Sequence, residues 1–504
     1  MDILKDIFLF NQDAPLIFTR FYFWAFFAVV MSLYLVVYKK IAARNIYLFA
    51  VSLFFYYKTS GLYFFLLIFS TIVDYFIGYG IFNSDKKLKR KILLALSIFV
   101  NLFVLSYFKY SYLAVDTVNY LFSTNFEVVD VLAKWSNNFT GSHFDIDRII
   151  LPVGISFFTF QTISYSIDIY RGKVKPVKNI LDFGFYVSFF PQLVAGPIVR
   201  ASEFIPQLYE KFKLTRAELG IAVFMILNGL LKKMFISDYI SVNYIDRVFA
   251  SPRIFSGFEN LMALYGYSIQ VYADFSGYTD IAIGVALLMG FRLPKNFNSP
   301  YKAQNVGEFW KRWHISLSTW LKDYLYIPLG GSRKGKLRTN INLMITMLLG
   351  GLWHGASWQF VIWGGLNGIG LVIYKYWRKI SPFTNDNRFL AKVLAVFITF
   401  NFITFTRIWF RSETMEVANG MMYQIANSFN FAQMGEVIIS YWKIFAMMVL
   451  AMAIHWLPTK IKEGYIKIFV QTPHWLKVII IVFVIFLIYQ VRSSEIQPFI
   501  YFQF

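Results

Sequence analysis

The chain has 504 residues, of which 57% are hydrophobic, 20% are aromatic and only 15% are charged. This composition excludes a series of soluble domains, because apolar runs long enough to cross a hydrocarbon core of ~30 Å recur along most of the sequence. The 49 Lys and Arg residues against 28 Asp and Glu give a net charge of +21, but the basic residues gather in short clusters between apolar runs. That arrangement predicts a multi-pass protein of the lipid bilayer and no nucleic-acid partner.

Apolar runs in chain order are candidate membrane helices. They lie at residues 21–38, 46–57, 62–82, 92–113, 149–170, 219–236, 261–291, 340–374, 390–410, 438–457 and 476–491. A further run, 183–199, is broken by Pro191, Gly196 and Pro197 and is expected to be re-entrant or half-spanning. We therefore predict an all-α polytopic fold with about 11 to 13 membrane helices and re-entrant elements.

The basic clusters indicate the orientation. With the N-terminus outside, the clusters at 39–44, 86–91 and 171–178 all fall on one side, which the positive-inside rule makes cytoplasmic. The segment 114–148 then forms an acidic external loop that faces an acceptor or a partner. The single domain 1–504 is divided into N-terminal helices with this loop (1–148), a catalytic core (149–380) and C-terminal helices (381–504).

The segment 306–326 is predicted to be one amphipathic helix. Asn305 and Glu308 have the spacing of a capping box, Glu308 and Arg312 are spaced for an i,i+4 ion pair, and Pro328 stops the pattern. Its charges favour an interfacial or pore-entering helix over a full span. On this helix, the residues that share one face with His314 are Trp310, Leu317, Ser318 and Leu321.

The run 340–374 has no formal charge and is longer than one span needs, so a break or kink is expected at Gly350-Gly351. His354 lies within it. An ionisable side chain in hydrocarbon costs a few kcal/mol and normally faces a cavity or a partner, which makes His354 a functional candidate. The glycines allow close helix approach, and Trp353 and Trp358 are expected to wall the site.

Each histidine also has a structural explanation. Taken alone, His314 could be an ordinary interfacial residue and His354 a hydrogen-bonded packing residue. His143, His455 and His474 are expected to have no chemical role. No cysteine, no HExxH pattern and no nearby carboxylate cluster are present, so we expect neither a metal nor a bound cofactor.

Two further sets of polar residues are secondary candidates. Asp274 and Asp280 lie among apolar residues and are expected to pair with Arg or His, as a structural network or around a cavity. In the loop 330–336, Arg333 and Lys334 could hold the phosphates of a cytoplasmic donor. The positive-inside rule alone explains these charges, and this explanation is favoured over phosphate binding.

Several sequence words resemble the membrane-bound O-acyltransferase (MBOAT) family, in particular its bacterial branch with the alginate and peptidoglycan O-acetylation membrane proteins. The words are LPVGISFFTFQTISYSIDIYRG, FFPQLVAGPIVR, DFSGYTDIAIGVALLMGF, EFWKRWHISLSTWLKDYLYIPLGG, LWHGASW and the terminal PFIYFQF. The D-alanyl-transfer membrane protein of teichoic acid modification shares the core words. The chain length and the ending are more similar to the acetylation branch.

The resemblance implies a ring of helices around a thin centre, with a funnel that connects a cytoplasmic donor to an extracytoplasmic acceptor. It implies that the family's two functional histidines correspond to His314 in RWHISLS and His354 in LWHGASW. It also implies a separate extracytoplasmic acetyltransferase partner that makes the final transfer to polysaccharide.

These observations predict a membrane O-acetyltransferase of the bacterial cytoplasmic (inner) membrane. It would use a cytoplasmic thioester, acetyl-CoA or an acyl carrier protein, for O-acetylation of a cell-envelope polysaccharide such as peptidoglycan or an alginate-like polymer. His354 is the expected general base or proton shuttle, and His314 is expected to position the donor or polarise its carbonyl. The expected substrate-binding residues are Trp310, Ser318, Asn340, Trp353, Trp358, Arg333 and Lys334.

Three rival functions remain open. One is D-alanyl transfer to teichoic acid. Another is a proton-coupled transporter, in which the two histidines form a proton relay. The third is a scaffold that docks envelope enzymes through the segment 114–148.

Overall fold

The computed structural model describes residues 8–11, 15–140, 145–193, 196–381 and 388–491. Within these ranges the chain is helical and contains no strand. The predicted all-α fold is therefore confirmed. His143 and the terminal word PFIYFQF lie outside the described residues.

The helices of the first half lead up to a long interior helix. The α-helices are α1 (Phe21–Val37), α2 (Ile41–Ser60), α3 (Phe64–Phe82), α4 (Lys87–Phe122), α5 (Val131–Thr140), α6 (Ile155–Tyr170), α7 (Ile180–Ser188), α8 (Phe190–Leu193), α9 (Ala201–Leu208), α10 (Arg216–Leu230), α11 (Asp238–Ile240), α12 (Asp246–Ala250) and α13 (Gly257–Leu288). Two π-helical segments, Leu231–Ser237 and Ser241–Ile245, join α10, α11 and α12 into one helical rod.

The second half carries both candidate histidines. Its α-helices are α14 (Val306–Arg312), α15 (Ile315–Leu321), α16 (Gly335–His354), α17 (Trp358–Ile380), α18 (Phe389–Arg411), α19 (Met415–Asn427), α20 (Met434–Ser440), α21 (Trp442–Trp456), α22 (Thr459–Gln471) and α23 (His474–Val491). A π-helical turn, Lys322–Tyr326, extends α15.

Several helices expose apolar side chains on most of their surface, as expected where lipid replaces water. The exposed apolar residues of α23 include Val478, Ile479, Val482, Phe483, Ile485 and Phe486. Within the described ranges, five helices are long and apolar enough to cross a membrane, namely Ile41–Phe82, Lys87–Phe122, Arg216–Ala250, Phe389–Arg411 and His474–Val491. The pair α20 and α21, bent by 83°, could form a sixth span. Helices that can cross the membrane unbroken are thus fewer than the apolar runs of the sequence, because runs such as 21–38 form shorter or interrupted helices.

The interior is built around α6 and α13. Every residue of α6 from Ile155 to Ile169 is buried, although the helix contains several Ser and Thr residues that a lipid-facing helix would not need. The rod that begins with α10 packs closely along α13, where a Cβ placed on Gly277 would lie 2.7 Å from the carbonyl oxygen of Gly229. Small residues at a helix interface allow such an approach.

The predicted helix 306–326 is wrong in its continuity. The chain forms α14, then leaves the helix at Trp313 and His314, and then forms α15 and the π-helical turn. Half of the predicted capping box forms, since Asn305 Oδ1 accepts a hydrogen bond from Glu308 N at 2.8 Å. The Glu308 carboxylate accepts from Gln304 N at 2.9 Å instead of from Asn305 N. Glu308 also pairs with Arg312 at 2.7 Å.

The break expected at Gly350-Gly351 is also misplaced. Helix α16 continues through both glycines to His354, and the chain turns at Gly355–Ser357 before α17. The glycines serve packing: a Cβ on Gly351 would lie 2.3 Å from the carbonyl oxygen of Phe360 and 3.2 Å from Cα of Gly364. Helices α16 and α17 therefore approach each other backbone to backbone, and the expected close helix approach is confirmed.

Candidate active site

Two histidines from distant parts of the sequence meet in the interior. The ring centroids of His314 and His354 lie 6.4 Å apart, and the two residues are 0% and 3% exposed. At this separation a small group, such as a thioester carbonyl or a hydroxyl, can lie within reach of both rings.

His314 occupies a strained turn between α14 and α15. Its φ of 42° and ψ of 56° are left-handed, a conformation that costs a non-glycine residue roughly 1–2 kcal/mol. Asn296 holds the turn: its carbonyl oxygen accepts a hydrogen bond from Ile315 N at 2.9 Å, and its Oδ1 accepts from Ser316 N at 3.1 Å and Ser316 Oγ at 2.9 Å. Strain of this kind clusters at functional sites, and here it places His314 between two helices instead of within the single helix that we predicted.

His354 is the last residue of α16, and α4 caps this helix end. Lys109 Nζ donates to the carbonyl oxygens of Trp353 at 2.6 Å and His354 at 3.1 Å, and Tyr110 Oη donates to the carbonyl of Leu352 at 2.8 Å. The last carbonyls of a helix lack partners within it and attract positive charge. The capping interaction therefore fixes where the His354 side chain begins.

Sequence reasoning missed residues that surround His354. Lys109 carried a detectable signal, because it is an ionisable residue inside the predicted run 92–113. Trp363 and Phe410, whose ring centroids lie 5.0 Å and 5.3 Å from that of His354, carried none. Aromatic residues make up 20% of the chain, so no single one stands out.

A cavity of about 230 Å³, the apolar chamber, opens beside His354. Its lining consists mainly of apolar and aromatic side chains: Trp310, Leu317, Ser318, Leu321, Lys322, Tyr326, Leu343, Thr346, Met347, Gly350, His354, Trp363 and Leu371. The predicted residues Trp310 and Ser318 thus lie in the same cavity as His354. Trp353 lies beside both imidazoles, with its ring centroid 5.0 Å from that of His354 and 5.9 Å from that of His314.

A larger depression of about 510 Å³, the basic groove, adjoins the apolar chamber. Its lining residues are Tyr326, Ser332, Gly335, Lys336, Thr339, Leu343, Tyr374, Lys375 and Arg378. Tyr326 and Leu343 line both cavities, so a cationic surface lies directly beside the chamber that contains His354.

A third cavity, the small cavity, also reaches His354 but measures only about 20 Å³. Its lining residues are Val271, Phe275, Phe309, Trp313, His354, Trp363, Asn367, Ile403, Thr406, Arg407 and Phe410. His354 and Trp363 are shared with the apolar chamber. His354 therefore stands between a roomy apolar space and a narrow one with polar side chains.

Four predicted substrate-binding residues lie away from the histidines. Asn340 donates to Tyr376 Oη at 2.8 Å and accepts from Lys375 Nζ at 2.9 Å, so it supports the rim of the basic groove. Trp358 is 56% exposed and lines none of the three cavities. The remaining two, Arg333 and Lys334, are exposed on the loop next to the basic groove without lining it.

The two predicted aspartates form structural pairs. Asp274 pairs with Lys233 at 2.6 Å, with both side chains 2% exposed, and Asp280 pairs with Lys232 at 2.7 Å. Both ion pairs use lysines where we expected Arg or His, because two consecutive lysines on the π-helical segment face α13. In the described part of the chain, no group of three or more His, Asp and Glu residues could hold a metal ion.

Known proteins are similar to this chain over the region that contains both histidines. The profile of the MBOAT, membrane-bound O-acyltransferase family matches residues 176–412. The chain is 40% identical over 368 residues to the probable alginate O-acetylase AlgI of Pseudomonas putida, covering 73% of this chain and 71% of that protein. It is 38% identical over 401 residues to the peptidoglycan O-acetyltransferase of Helicobacter pylori, with 74% and 72% covered. It is also 31% identical over 279 residues to the teichoic acid D-alanyltransferase of Bacillus subtilis, with 52% and 69% covered.

A polytopic helical fold holds a buried histidine pair, in which His354 lines two cavities and His314 lies 6.4 Å from it, measured between ring centroids. Such an arrangement is typical of an active site inside a membrane protein. The sequence matches specify its class, and both histidines lie inside the matched segment. The chain belongs to the membrane-bound O-acyltransferase family and is an O-acyltransferase. The family resemblance inferred from the sequence words is thereby confirmed.

Proposed function

We propose that the protein transfers an acetyl group from a cytoplasmic thioester to an acceptor hydroxyl reached from the outer side of the membrane. The observation that carries this proposal is the position of His354, which lines both the apolar chamber and the small cavity beside His314. A base placed between two spaces can serve a donor that enters through one and an acceptor that enters through the other.

The basic groove and the apolar chamber together suit a phosphorylated thioester. Lys336, Lys375 and Arg378 line the groove, and such cations bind phosphate oxygens well. Lys336 belongs to the basic loop 330–336, which the positive-inside rule assigns to the cytoplasm, and Lys375 Nζ lies 3.5 Å from the carbonyl oxygen of Lys336. We propose that the phosphate end of acetyl-CoA or an acyl carrier protein lies in the groove, and that its thioester arm extends through the chamber to the histidines.

The proposed reaction needs one proton acceptor. His354 takes the proton of the acceptor hydroxyl while the hydroxyl oxygen forms a bond to the acyl carbon. The bond between this carbon and sulfur then breaks, and His354 returns the proton to the departing thiolate. His314 holds the donor or polarises its carbonyl from 6.4 Å away, measured between ring centroids. General acid–base assistance of this kind contributes roughly 10²–10⁴-fold to the rate.

The names of the relatives support the identity of the final product. Two of them are named for O-acetylation of alginate or peptidoglycan. We infer that the acceptor pathway ends on a polysaccharide of this kind, that the protein resides in the bacterial inner membrane, and that an extracytoplasmic acetyltransferase partner completes the transfer. The D-alanyltransferase relative, 31% identical over about half of this chain, makes D-alanyl transfer the second candidate.

Purified protein in sealed vesicles tests the proposal. Acetyl-CoA, acetylated carrier protein and D-alanylated carrier protein, each labelled in the acyl group, are supplied to one side, and transfer to an alcohol on the other side is measured. We expect acetyl transfer that requires His314 and His354. The exposed His474 at the start of α23 supplies a matched control, so His474→Gln should transfer at the rate of the unmodified protein. Transfer that survives both His314→Ala and His354→Ala would contradict the assignment. Uptake of a solute with no thioester consumed would favour the transporter, and a preference for the D-alanyl donor would favour the second candidate.

A further inference from the structure

The small cavity contains a buried arginine without a carboxylate. Arg407 is 4% exposed, and its one hydrogen bond to a described residue runs from Nη1 to Tyr301 Oη at 2.8 Å. Its guanidinium also lies over the ring of Trp313, 4.9 Å from the centroid. No Asp or Glu of the described ranges pairs with it. A buried cation is costly, so donors left over at a cavity wall indicate a group that binds there.

The same cavity wall carries a buried acceptor. Asn367 is 1% exposed, and its Nδ2 donates to the carbonyl of Trp363 at 2.9 Å. This contact fixes the orientation of the amide, because the reversed amide would place two acceptor oxygens against each other. Its Oδ1 therefore faces elsewhere, and this atom has no hydrogen-bond partner among the described residues.

The size of the cavity limits what these two residues can bind. A volume of about 20 Å³ holds roughly one water-sized group. A hydroxyl has this size and can accept from Arg407 and also donate to Asn367 with one oxygen, as a water molecule that it displaces would. Phe410 follows Arg407 by one helical turn on α18 and lies 5.3 Å from the His354 ring, centroid to centroid, so a hydroxyl held here lies on the imidazole side of the helix.

We propose that the small cavity is the binding subsite for the acceptor's primary hydroxyl, with Asn367 and Arg407 as its ligands. This inference rests on the acyl transfer proposed above. Before reaction the hydroxyl donates to Asn367 Oδ1 and accepts from Arg407. Rotation about its C–O bond then turns the hydrogen toward His354, which takes the proton as the ester bond forms and the thiolate leaves. The narrowness of the cavity selects a terminal CH₂OH group over a branched secondary alcohol.

Small alcohols test the subsite directly. Ethanol, methyl glucoside and N-acetylserinamide serve as acceptors with labelled acetyl thioester, and the KM for acceptor and for donor are measured separately. Asn367→Leu and Arg407→Lys should each raise the acceptor KM about tenfold, since a hydroxyl loses one hydrogen bond in a buried site. The donor KM should stay within twofold. A preference for the glucoside would indicate that the natural acceptor hydroxyl belongs to a sugar, and a preference for the serinamide would indicate that it belongs to a serine.

Two matched controls, Asn401 and Arg411, lie on α18, the helix that carries Arg407. Asn401 Nδ2 donates to the carbonyl four residues before it, as that of Asn367 does, but Asn401 Oδ1 accepts from Tyr265 Oη. Arg411 pairs with Asp246 at 2.9 Å. Neither residue lines the small cavity, so Asn401→Leu and Arg411→Lys should leave the acceptor KM unchanged.

A second variant keeps the inference testable if the polar substitutions unfold the protein. Ile403 lines the small cavity, and Ile403→Ala should widen it and raise the relative kcat/KM for 2-propanol over ethanol several-fold. An unchanged acceptor KM in folded Asn367→Leu, or an unchanged alcohol preference in Ile403→Ala, would overturn the subsite and leave the histidine chemistry standing. Unmodified protein that transfers no acyl group to any alcohol would overturn both.

Discussion

The outer and inner helices of this protein follow opposite rules. Helices such as α4 and α23 are long, regular and apolar on their exposed surface. The inner elements around the site are short and interrupted: His314 interrupts one helix, and His354 ends another. A spanning helix must be regularly hydrogen-bonded, because lipid offers no partner for its backbone N–H and C=O groups. Irregular backbone is tolerated where protein surrounds it, and it can place a side chain where no helix face would.

The largest expected effect is a loss of activity without loss of folding when His314, between α14 and α15, is replaced. His314→Gly removes the imidazole but suits the left-handed φ of 42°. We expect transfer to fall roughly 10²–10⁴-fold, as for His354→Ala. The protein should still fold, because the relief of about 1 kcal/mol of backbone strain offsets part of the cost of emptying a buried site. Initial transfer rates and thermal unfolding curves measure both quantities. If His314→Gly transfers within threefold of the unmodified rate, the strained turn has no chemical purpose.

The next effect tests whether an outer helix positions an inner residue. Lys109→Met in α4 removes the hydrogen bonds that the Lys109 ammonium donates to the carbonyls of Trp353 and His354. We expect a loss of about 1–3 kcal/mol in the free energy of unfolding and a lower rate of transfer, because the end of α16 is no longer fixed. Denaturant titration and transfer assays measure the two losses. Lys89→Met, an exposed change in the same helix, should alter neither, and equal behaviour of the two variants would argue against the cap.

The outer region was the part that sequence could predict. Hydropathy located runs such as 92–113 and 390–410, and α4 and α18 contain them, because a lipid-facing helix must be apolar for its whole length. The pairing of His314 with His354 followed from the family resemblance and from the cost of an ionisable residue in hydrocarbon.

The inner region resisted prediction for physical reasons. Helical periodicity runs straight through His314, so it gave no sign that tertiary contacts to Asn296 would hold the chain in a left-handed turn. Gly350-Gly351 looked like a helix break, whereas these residues pack against α17. Arg407, like Lys109, is an ionisable residue inside a predicted apolar run. Its role and that of Asn367 depend on which atoms remain unpaired after folding, which the sequence does not show.

Two glycine substitutions, one at a tight contact between inner helices and one at an open position, should change the free energy of unfolding by an intermediate amount and in opposite directions. Gly351→Ala places a Cβ 2.3 Å from the carbonyl oxygen of Phe360, so we expect α16 and α17 to separate at a cost of about 1–3 kcal/mol in unfolding free energy. Gly464 in α22 has no atom within 4 Å of the corresponding Cβ position, and Gly464→Ala should stabilise the protein by up to about 1 kcal/mol. Denaturant titration of both variants measures the difference, and equal shifts would contradict it.

The smallest effect is a pH dependence at the amphipathic helix α22. Burial, together with the nearby ammonium of Lys302, lowers the pKa of Lys462 to about 8. Its Nζ donates to Ser299 Oγ at 3.0 Å and to the carbonyl of His455 at 2.7 Å. An unfolded lysine has a pKa of about 10.4, so between roughly pH 8 and 10 the unfolded chain binds more protons than the folded one, and stability should rise with pH.

Lys462→Met should flatten that rise in thermal unfolding temperature, whereas Lys460→Met, an exposed change in the same helix, should preserve it. Other lysines and tyrosines titrate over the same window in every variant, so the difference between the two slopes isolates the one buried ammonium. Identical slopes would mean that water reaches Lys462 as freely as it reaches Lys460. The part of α22 beside Ser299 would then be as accessible to water as the outer surface of the protein. The buried inner region would not extend to α22.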